Sequence, residues 1–214
     1  MLDPTMDPMV DPTAFGYGDL NFSWGDHICA IYDDPGQQMD VVVPFMVQGI
    51  RAGQRCVWVS GPSAARRFRD TLTHSGCDVL TLEASGQLVV ISDVDFYLKD
   101  GLFQPGSCIA LARTLMEDGQ RHGYSAMRLA GDPSWLQEGV LDFGLWEDYE
   151  HQVTREIANA PMVILCQYDR RRFPGSQIVT ALLTHPIVIL GDNIARNPYF
   201  VPPPTDAVGP RDIV

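Results

Sequence analysis

The chain has 214 residues, 45% of them hydrophobic and 20% charged, a composition that suits one globular α/β domain with a substantial core. Its formal net charge is −12, from 27 acidic and 15 basic side chains, so its field repels phosphate backbones and disfavours direct DNA or RNA binding. The absence of an apolar run near the roughly 18 residues of a membrane span, and of a signal-peptide pattern, disfavours membrane insertion and secretion.

Cysteine usage indicates a reducing compartment. The chain has five cysteines, an odd number, and Cys29, Cys56 and Cys166 lie within apolar runs, where a free thiol acts as a small hydrophobic side chain. We therefore expect reduced thiols and a cytoplasmic protein.

Proline-rich segments bound the folded part of the chain. Three Asp-Pro steps occur among the first 12 residues, and VPPPTDAVGP follows residue 200, and neither segment favours a continuous helix or a central strand. We predict a flexible N-terminal arm over residues 1–21, a folded body over 22–200 and a flexible tail over 201–214.

Short apolar runs alternate with longer helical patterns inside this body, as is typical of βαβ units around a mainly parallel sheet. Ser63 is the predicted N-cap of the second helix, and Gly53 the predicted stop of the first. With right-handed crossovers, the pattern predicts a doubly wound three-layer α/β domain. In chain order it predicts strand 27–33, helix 37–52, strand 55–61, helix 63–76, strand 87–92, helix 107–122, strand 126–132, helix 141–160, strand 162–169, helix 176–185 and strand 186–192.

Aromatic and charged side chains cluster at the carboxyl ends of the predicted strands, where folds of this type bind ligands. One rim of the sheet is therefore expected to form an aromatic-walled pocket for a small organic ligand. The alternative is that these aromatic side chains only finish the strands, with a polar tip in water. The candidate residues are Tyr32, Asp33, Trp58, Ser60, Asp132, Trp135, Tyr168, Asp169 and Arg170.

The turn DDPGQQMD, residues 33–40, occupies the position of a phosphate-binding loop. Such a loop needs G-x-x-x-x-G-K-[ST], because backbone amides, a lysine and a hydroxyl hold the phosphates and magnesium. Here there is one glycine and no lysine, and Asp33 and Asp34 would repel a triphosphate. We expect no tight ATP binding at this turn; carboxylates beside a Pro-Gly turn commonly cap the following helix.

His27 and Cys29 form an H-x-C pair whose side chains share one face of a strand. Together with Cys166 on another predicted central strand, they make a His/Cys₂ metal site conceivable. The spacing differs from the C-x₂₋₄-C pairs of structural zinc sites, and cysteines in apolar strands are normally core residues. We therefore expect no cofactor and no metal.

The segment LWEDYE, residues 145–150, places Glu147 and Glu150 three residues apart on one side of a helix, next to Trp146. Paired carboxylates can perform acid-base catalysis, although such residues more often form the polar face of a helix. The sequence has no G-x-S-x-G, H-E-x-x-H or G-x-G-x-x-G motif, so it does not predict an enzyme.

Five segments, in order and at consistent spacing, resemble the MEDS family, the sensory domain of methanogen and methylotroph regulators of the dichloromethane-repressor type. That family is itself similar to the KaiC branch of RecA-like ATPases, most clearly over residues 44–63. The segments are GDHICAIYDD (25–34), PFMVQGIRAGQRCVWVS (44–60), LWEDYE (145–150), LCQYDRRRF (165–173) and THPIVILGDNIARNPYF (184–200).

The resemblance implies a RecA-like sheet and a domain over residues 22–200 that senses small molecules, proposed to be hydrocarbon derivatives, without hydrolysing nucleotide. It adds Trp146, Glu147 and Glu150 to the candidate ligand contacts. Family members are usually fused to DNA-binding or kinase modules, for which about 200 residues leave no room. A kinase, an anti-sigma factor or a transcription regulator is therefore expected to read the signal in trans.

Two alternatives stay open. One is a degenerate ATPase-like interaction module that regulates a kinase or sigma-factor pathway by docking alone. The other is a residual nucleotide-binding enzyme, for which ATP binding should depend on magnesium. A homodimer is compatible with all three interpretations.

Overall fold

A seven-stranded sheet forms the centre of the computed structural model, which describes residues 11–16, 21–138 and 143–203. The strands in chain order are β1 (His27–Tyr32), β2 (Arg55–Ser60), β3 (Leu88–Ser92), β4 (Leu98–Lys99), β5 (Leu102–Phe103), β6 (Met127–Gly131), β7 (Met162–Asp169), β8 (Ile187–Leu190) and β9 (Asn193–Arg196). The sheet order is β3-β2-β6-β7-β1-β8-β9, parallel except for β9, while β4 and β5 pair as a separate hairpin.

Helices cover both faces of this sheet. They are α1 (Pro35–Arg51), α2 (Pro62–His74), α3 (Val79–Ala84), α4 (Asp93–Tyr97), α5 (Pro105–Arg121), α6 (Phe143–Ile157) and α7 (Gly175–Thr184), with a 3-10 helix over Pro133–Glu138. Side chains of α1 and α2 bury one face of the sheet, and those of α4, α5, α6 and α7 bury the other. The predicted three-layer α/β architecture is confirmed, and the strand order is consistent with a RecA-like class.

The six predicted strands and the five predicted helices all occur, with boundaries shifted by a few residues. The predicted N-cap at Ser63 is wrong, because α2 begins at Pro62 and its N-cap residue is Gly61. This helix therefore has no side-chain hydrogen bond at its N-cap. Proline suits a first helical position because its missing N–H would lack a helical partner there. Residues 141 and 142, the predicted start of α6, lie outside the described ranges. No helix within those ranges is both long enough and apolar enough to cross a bilayer.

The sheet ends in a hairpin that the sequence analysis did not predict. Only Gly191 and Asp192 separate β8 from β9, and Leu190 pairs with Asn193 across the turn. Gly191 has a φ of 56°, a conformation that two-residue hairpin turns require and that glycine adopts without strain.

The chain before β1 also packs against the folded body. Phe15 is fully buried and its ring lies 4.9 Å from that of Phe45 in α1. Ala14 forms an antiparallel bridge with Asn21. The predicted flexible arm therefore includes a segment, residues 11–16, that contributes to the core; residues 1–10 and 17–20 lie outside the described ranges.

The connection between β1 and α1 consists of only Asp33 and Asp34. Asp34 is the N-cap of α1, and its Oδ1 accepts hydrogen bonds from the backbone N–H groups of Gly36 at 2.7 Å and Gln37 at 3.1 Å. The expected capping role of this turn is confirmed for Asp34. The first amides of α1 are thus already used by the chain itself.

Replacing Asp34 by alanine is expected to lower the free energy of unfolding by about 1 kcal/mol, because those two amides lose their acceptor. Urea denaturation monitored by circular dichroism measures the change. Asp33→Ala is the matched control, since the Asp33 carboxylate forms a solvent-exposed ion pair with Arg170, whose loss should change stability by less than about 1 kcal/mol. Equal losses in the two variants would contradict the capping assignment.

Candidate functional site

Part of the predicted rim exists as a surface depression. Tyr32, Asp132, Trp135 and Asp169 line a depression of about 330 Å³ at the carboxyl ends of β1, β6 and β7. Burial, together with the carboxylates of Asp132 and Asp169, raises the pKa of Tyr32. Four of the candidate residues predicted from the strand ends therefore lie together in the structure.

The two carboxylates of this rim already accept hydrogen bonds from other groups of the protein. Asp132 accepts hydrogen bonds from Gln38 Nε2 at 2.9 Å and from the Ser134 N–H at 3.0 Å. Asp169 accepts from Arg171 Nη2 at 2.9 Å and Nε at 3.1 Å. These bonds hold the loops after β6 and β7 and leave fewer polar atoms for a ligand.

Several other candidates lie away from this depression. The expectation that Trp58 reaches the rim is wrong: its indole is fully buried between the sheet and the α1 and α2 layer, with its ring 5.2 Å from Phe68 of α2. Ser60 is buried at the end of β2. Asp33 and Arg170 pair on the exposed surface, with Arg170 Nη2 2.5 Å from Asp33 Oδ1. Glu147 is half-buried on α6 and does not join its predicted partner Glu150 in the interior.

The remaining candidates form a buried hydrogen-bonded chain beneath α6. Trp146 Nε1 donates to the Tyr168 hydroxyl at 3.2 Å, and that hydroxyl donates to Glu150 Oε1 at 2.6 Å. All three side chains are at most 1% exposed. Burial raises the pKa of Glu150, which lies in the apolar layer between α6 and the sheet. The chain orients this carboxyl group toward β1 and β7.

Glu150 belongs to a buried cluster with His27, Cys166 and His185, which we call the His–Cys–Glu cluster. One potential ligand atom from each residue lies within 4.8 Å of all the others. His27 Nε2 is 3.4 Å from Cys166 Sγ and 3.3 Å from Glu150 Oε2, which is 3.7 Å from His185 Nε2. His27, Cys166 and His185 lie close together because β1 lies between β7 and β8 and all three strands run parallel.

The sequence analysis named His27, Cys29 and Cys166 as the metal candidates. The structure brings His27 and Cys166 together, but the inclusion of Cys29 is wrong. Cys29 pairs with Cys166 in strand register, yet among the described residues the ligand group takes Glu150 and His185 in its place. All five cysteines are free.

Hydrogen bonds orient both imidazoles of the His–Cys–Glu cluster. His185 Nδ1 lies 2.7 Å from the carbonyl oxygen of Ala181, so it carries the proton and donates, because a carbonyl only accepts. His27 Nδ1 lies 2.9 Å from Thr154 Oγ1, whose own hydroxyl is 3.1 Å from the Glu150 carbonyl oxygen. Burial lowers the pKa of each histidine to about 3, so both rings are neutral at physiological pH.

An apolar cavity of about 50 Å³ adjoins this cluster between α5, α6 and the sheet. Its walls are mainly aliphatic and aromatic, including Ala112 of α5, Leu129 of β6 and Val153 of α6. Glu150 and Cys166 also line it, so the cavity reaches the His–Cys–Glu cluster. On the solvent side its lining includes Arg113 and Glu156, which form an ion pair at the surface between α5 and α6.

Comparison with known protein families identifies the domain. Residues 26–186 match the MEDS family, described as the MEthanogen/methylotroph, DcmR Sensory domain, and this match spans more than half of the 214-residue chain. The chain belongs to the MEDS family. The MEDS match contains every strand that lines the cavity and all four residues of the His–Cys–Glu cluster.

One relative of this MEDS domain is a transcriptional repressor. The chain is 27% identical over 171 residues to the transcriptional repressor DcmR of Methylorubrum extorquens (strain DSM 6343 / CIP 106787 / DM4), an alignment that covers 78% of this chain. It covers 60% of the repressor, so the chain spans about three fifths of the relative that it matches. The family and this relative indicate a sensory or regulatory role.

His185 and the cavity residues of the MEDS domain escaped the sequence analysis. His185 lies in the segment THPIVI, between α7 and β8. The sequence analysis treated it only as the last residue of the predicted helix 176–185. One feature of the sequence could have pointed to His185 as a partner of His27: β1 begins at His27, and β8 begins two residues after His185. The cavity had no such signal, because apolar residues that line a cavity have the same sequence pattern as those that fill a core.

Proposed function

We propose that this MEDS domain is a cytoplasmic sensor that binds a small, mainly apolar organic molecule and signals to a regulatory partner protein, without ATP hydrolysis. The observation that carries the proposal is the apolar cavity beside the His–Cys–Glu cluster. Apolar walls with a few convergent polar groups at one end are typical of small-molecule sites. The net charge of −12 counts against a direct contact with DNA, so the proposed output is a protein contact.

The size of the cavity supports a ligand with very few atoms. Its volume of about 50 Å³ is roughly a third of the 150 Å³ of an apolar cavity that accommodates benzene. A molecule with one or two carbon atoms and one or two heteroatoms fits that limit. Such a ligand would place its apolar part against Val153 and Leu129 and its polar atom toward Glu150 or Cys166.

The expected affinity follows from the size of the ligand. Binding contributes at most about 1.5 kcal/mol per non-hydrogen atom, so three or four atoms give a dissociation constant of roughly 0.05–0.5 mM at best. Titrations therefore need to reach millimolar concentrations of ligand.

The β1–α1 turn argues against an ATP-dependent mechanism. Only two residues connect strand and helix, and the Asp34 carboxylate accepts the amides that would face a phosphate. The Asp33 N–H donates to Gln37 Oε1 at 2.8 Å. A triphosphate at this turn would have to displace both contacts and approach the carboxylates of Asp33 and Asp34, and the nearby Arg170 already pairs with Asp33.

Thermal unfolding with a panel of one- and two-carbon alcohols, amines and chlorinated methanes tests the proposal. A ligand at 100 times its dissociation constant stabilises the folded state by about 2.7 kcal/mol, and each kcal/mol shifts the Tm of a domain this size by about 2–4 °C. We expect at least one compound to raise Tm by several degrees. Ala112→Leu, which fills the cavity from α5, should abolish that shift.

Ala110→Leu is the matched control, because Ala110 lies on the same helix but is exposed to solvent. It should leave the ligand-induced shift unchanged. A flat response of the wild-type domain across the panel, or an undiminished shift in Ala112→Leu, would remove the cavity as the ligand site.

A further inference from the structure

We propose that His27, Glu150, Cys166 and His185 form a tetrahedral binding site for one divalent transition-metal ion of the Zn²⁺ class. This site lies beyond the sensory function proposed above and does not depend on the organic ligand. Nitrogen and sulfur ligands favour such ions over Mg²⁺ or Ca²⁺, which prefer oxygen ligands.

The separations of the ligand atoms fit this geometry. With bonds of about 2.0–2.3 Å to nitrogen, oxygen and sulfur, neighbouring ligand atoms of tetrahedral Zn²⁺ lie roughly 3.3–3.8 Å apart. The distances from His27 Nε2 to Glu150 Oε2 and to Cys166 Sγ are 3.3 and 3.4 Å, and His185 Nε2 lies 3.7 Å from Glu150 Oε2. Cys166 Sγ is 4.0 Å from the same oxygen. Small side-chain adjustments would close the site.

The tautomer of His185 supplies an independent indication. Its Nδ1 donates to the carbonyl oxygen of Ala181, so Nε2 presents a lone pair to the cluster. This buried Nε2 atom has no hydrogen-bond partner among the described residues. This lone pair faces Glu150 Oε2 at 3.7 Å without a hydrogen bond, and a cation between the two atoms would bind both.

The outer contacts resemble those that orient metal ligands. His27 Nδ1 lies 2.9 Å from Thr154 Oγ1, and the second oxygen of Glu150 accepts a hydrogen bond from the Tyr168 hydroxyl at 2.6 Å. Such partners fix the ring orientation and hold the carboxylate in place. A divalent ion would balance the two negative charges of a bound carboxylate and thiolate, which makes the filled site neutral inside an apolar core.

The apolar cavity lies between the His–Cys–Glu cluster and the protein surface. Cys166 and Glu150 line it at one end, and the surface residues Arg113 and Glu156 line it at the other. A small organic ligand in the cavity would then lie against the coordination sphere.

Titration of the metal-free wild-type domain with Co²⁺ and Zn²⁺ tests the site. We expect one Co²⁺ per chain, with the visible bands of tetrahedral cobalt and a thiolate-to-cobalt charge-transfer band in the near ultraviolet. Zn²⁺ should displace the cobalt, and elemental analysis of the protein purified without chelator should find one equivalent of metal. A wild-type domain that takes up no stoichiometric metal would overturn the proposal.

Cys166→Ala and Cys29→Ala form a matched pair, because both remove a buried thiol at the same level of adjacent strands. Cys166→Ala should lose the charge-transfer band, and Cys29→Ala should keep it. His185→Gln should weaken metal binding by more than the roughly 10–100-fold that loss of an outer partner costs. Since His185 does not line the cavity, this variant should retain the ligand-induced Tm shift. Equal spectra for the two cysteine variants would exclude this ligand set.

Discussion

Replacing Arg128 by methionine is expected to lower the free energy of unfolding by about 3–5 kcal/mol. Arg128 lies on β6 and is fully buried, although the chain offers it no carboxylate within ion-pair distance in the described residues. Its guanidinium is instead satisfied by oxygen atoms of the chain. Burial lowers its pKa to about 10, so it remains charged at physiological pH.

The contacts of Arg128 join three parts of the sequence. Its Nε donates to Gln54 Oε1 at 2.6 Å, and its Nη1 donates to the carbonyl oxygen of Phe45 in α1 at 2.8 Å. Its Nη2 donates to the carbonyl oxygens of Ala14 at 2.9 Å and Pro12 at 3.2 Å. Methionine keeps the apolar stem but removes the donor from the buried oxygens of Gln54 and Phe45, at about 1–3 kcal/mol each where water cannot replace it.

Urea denaturation with two independent optical probes measures this loss. Arg69→Met is the control, because Arg69 is 39% exposed and pairs with Glu83 on the surface, where an ion pair contributes about 0–1 kcal/mol. A change below about 1 kcal/mol in Arg128→Met would mean that the cost of burying the guanidinium cancels its hydrogen bonds.

Replacing Trp146 by alanine is expected to destabilise the domain by about 3–5 kcal/mol, the usual cost of removing a large buried aromatic side chain. The indole is 1% exposed, and its centroid lies 5.0 Å from Tyr149 and 5.6 Å from Phe103. It also donates the hydrogen bond that holds the Tyr168 hydroxyl against Glu150. The substitution therefore removes both packing and the orientation of Glu150.

Two further variants separate these contributions. Trp146→Phe retains much of the packing but not the N–H donor, so it should cost less stability while still loosening Tyr168. Trp24→Ala is the control for tryptophan removal, since Trp24 is only partly buried and contacts Phe22 at a centroid distance of 5.2 Å. Chemical denaturation gives the free energies, and a loss in Trp146→Ala no larger than in Trp24→Ala would contradict the central role of this residue.

Helix α6 connects the proposed ligand site to the rest of the domain. Val153 faces the cavity, Glu150 belongs to the His–Cys–Glu cluster, and Thr154 Oγ1 lies 3.3 Å from the carbonyl oxygen of Thr184 in α7. A ligand can shift a conformational equilibrium only by its differential affinity for two states, typically by 1–3 kcal/mol. A shift of α6 on ligand binding would be transmitted to α7 through these contacts.

The strands and principal helices of this domain could be predicted from local sequence patterns. Continuous apolar runs such as MVILCQYD mark buried parallel strands, because both faces of such a strand are covered. The cap of α1 by Asp34 was equally local, since it depends on atoms two and three residues away. Short elements such as α3, α4 and the β4–β5 hairpin were missed, because tertiary packing and not periodicity stabilises elements of two to six residues.

The alternation of strands and helices, the capped turn without a lysine and the motifs that resemble the MEDS family could all be identified from the sequence, because each depends on residues close together in the chain. Which side chains meet depends instead on the order of the strands in the sheet and on the packing of the helices. His27 and His185 are 158 positions apart, yet the placement of β1 beside β8 sets their ring centroids 3.9 Å apart. The same strand order sends Trp58 to one face of the sheet and Trp146 to the other, because sheet order and helix packing are set by long-range burial of apolar surface.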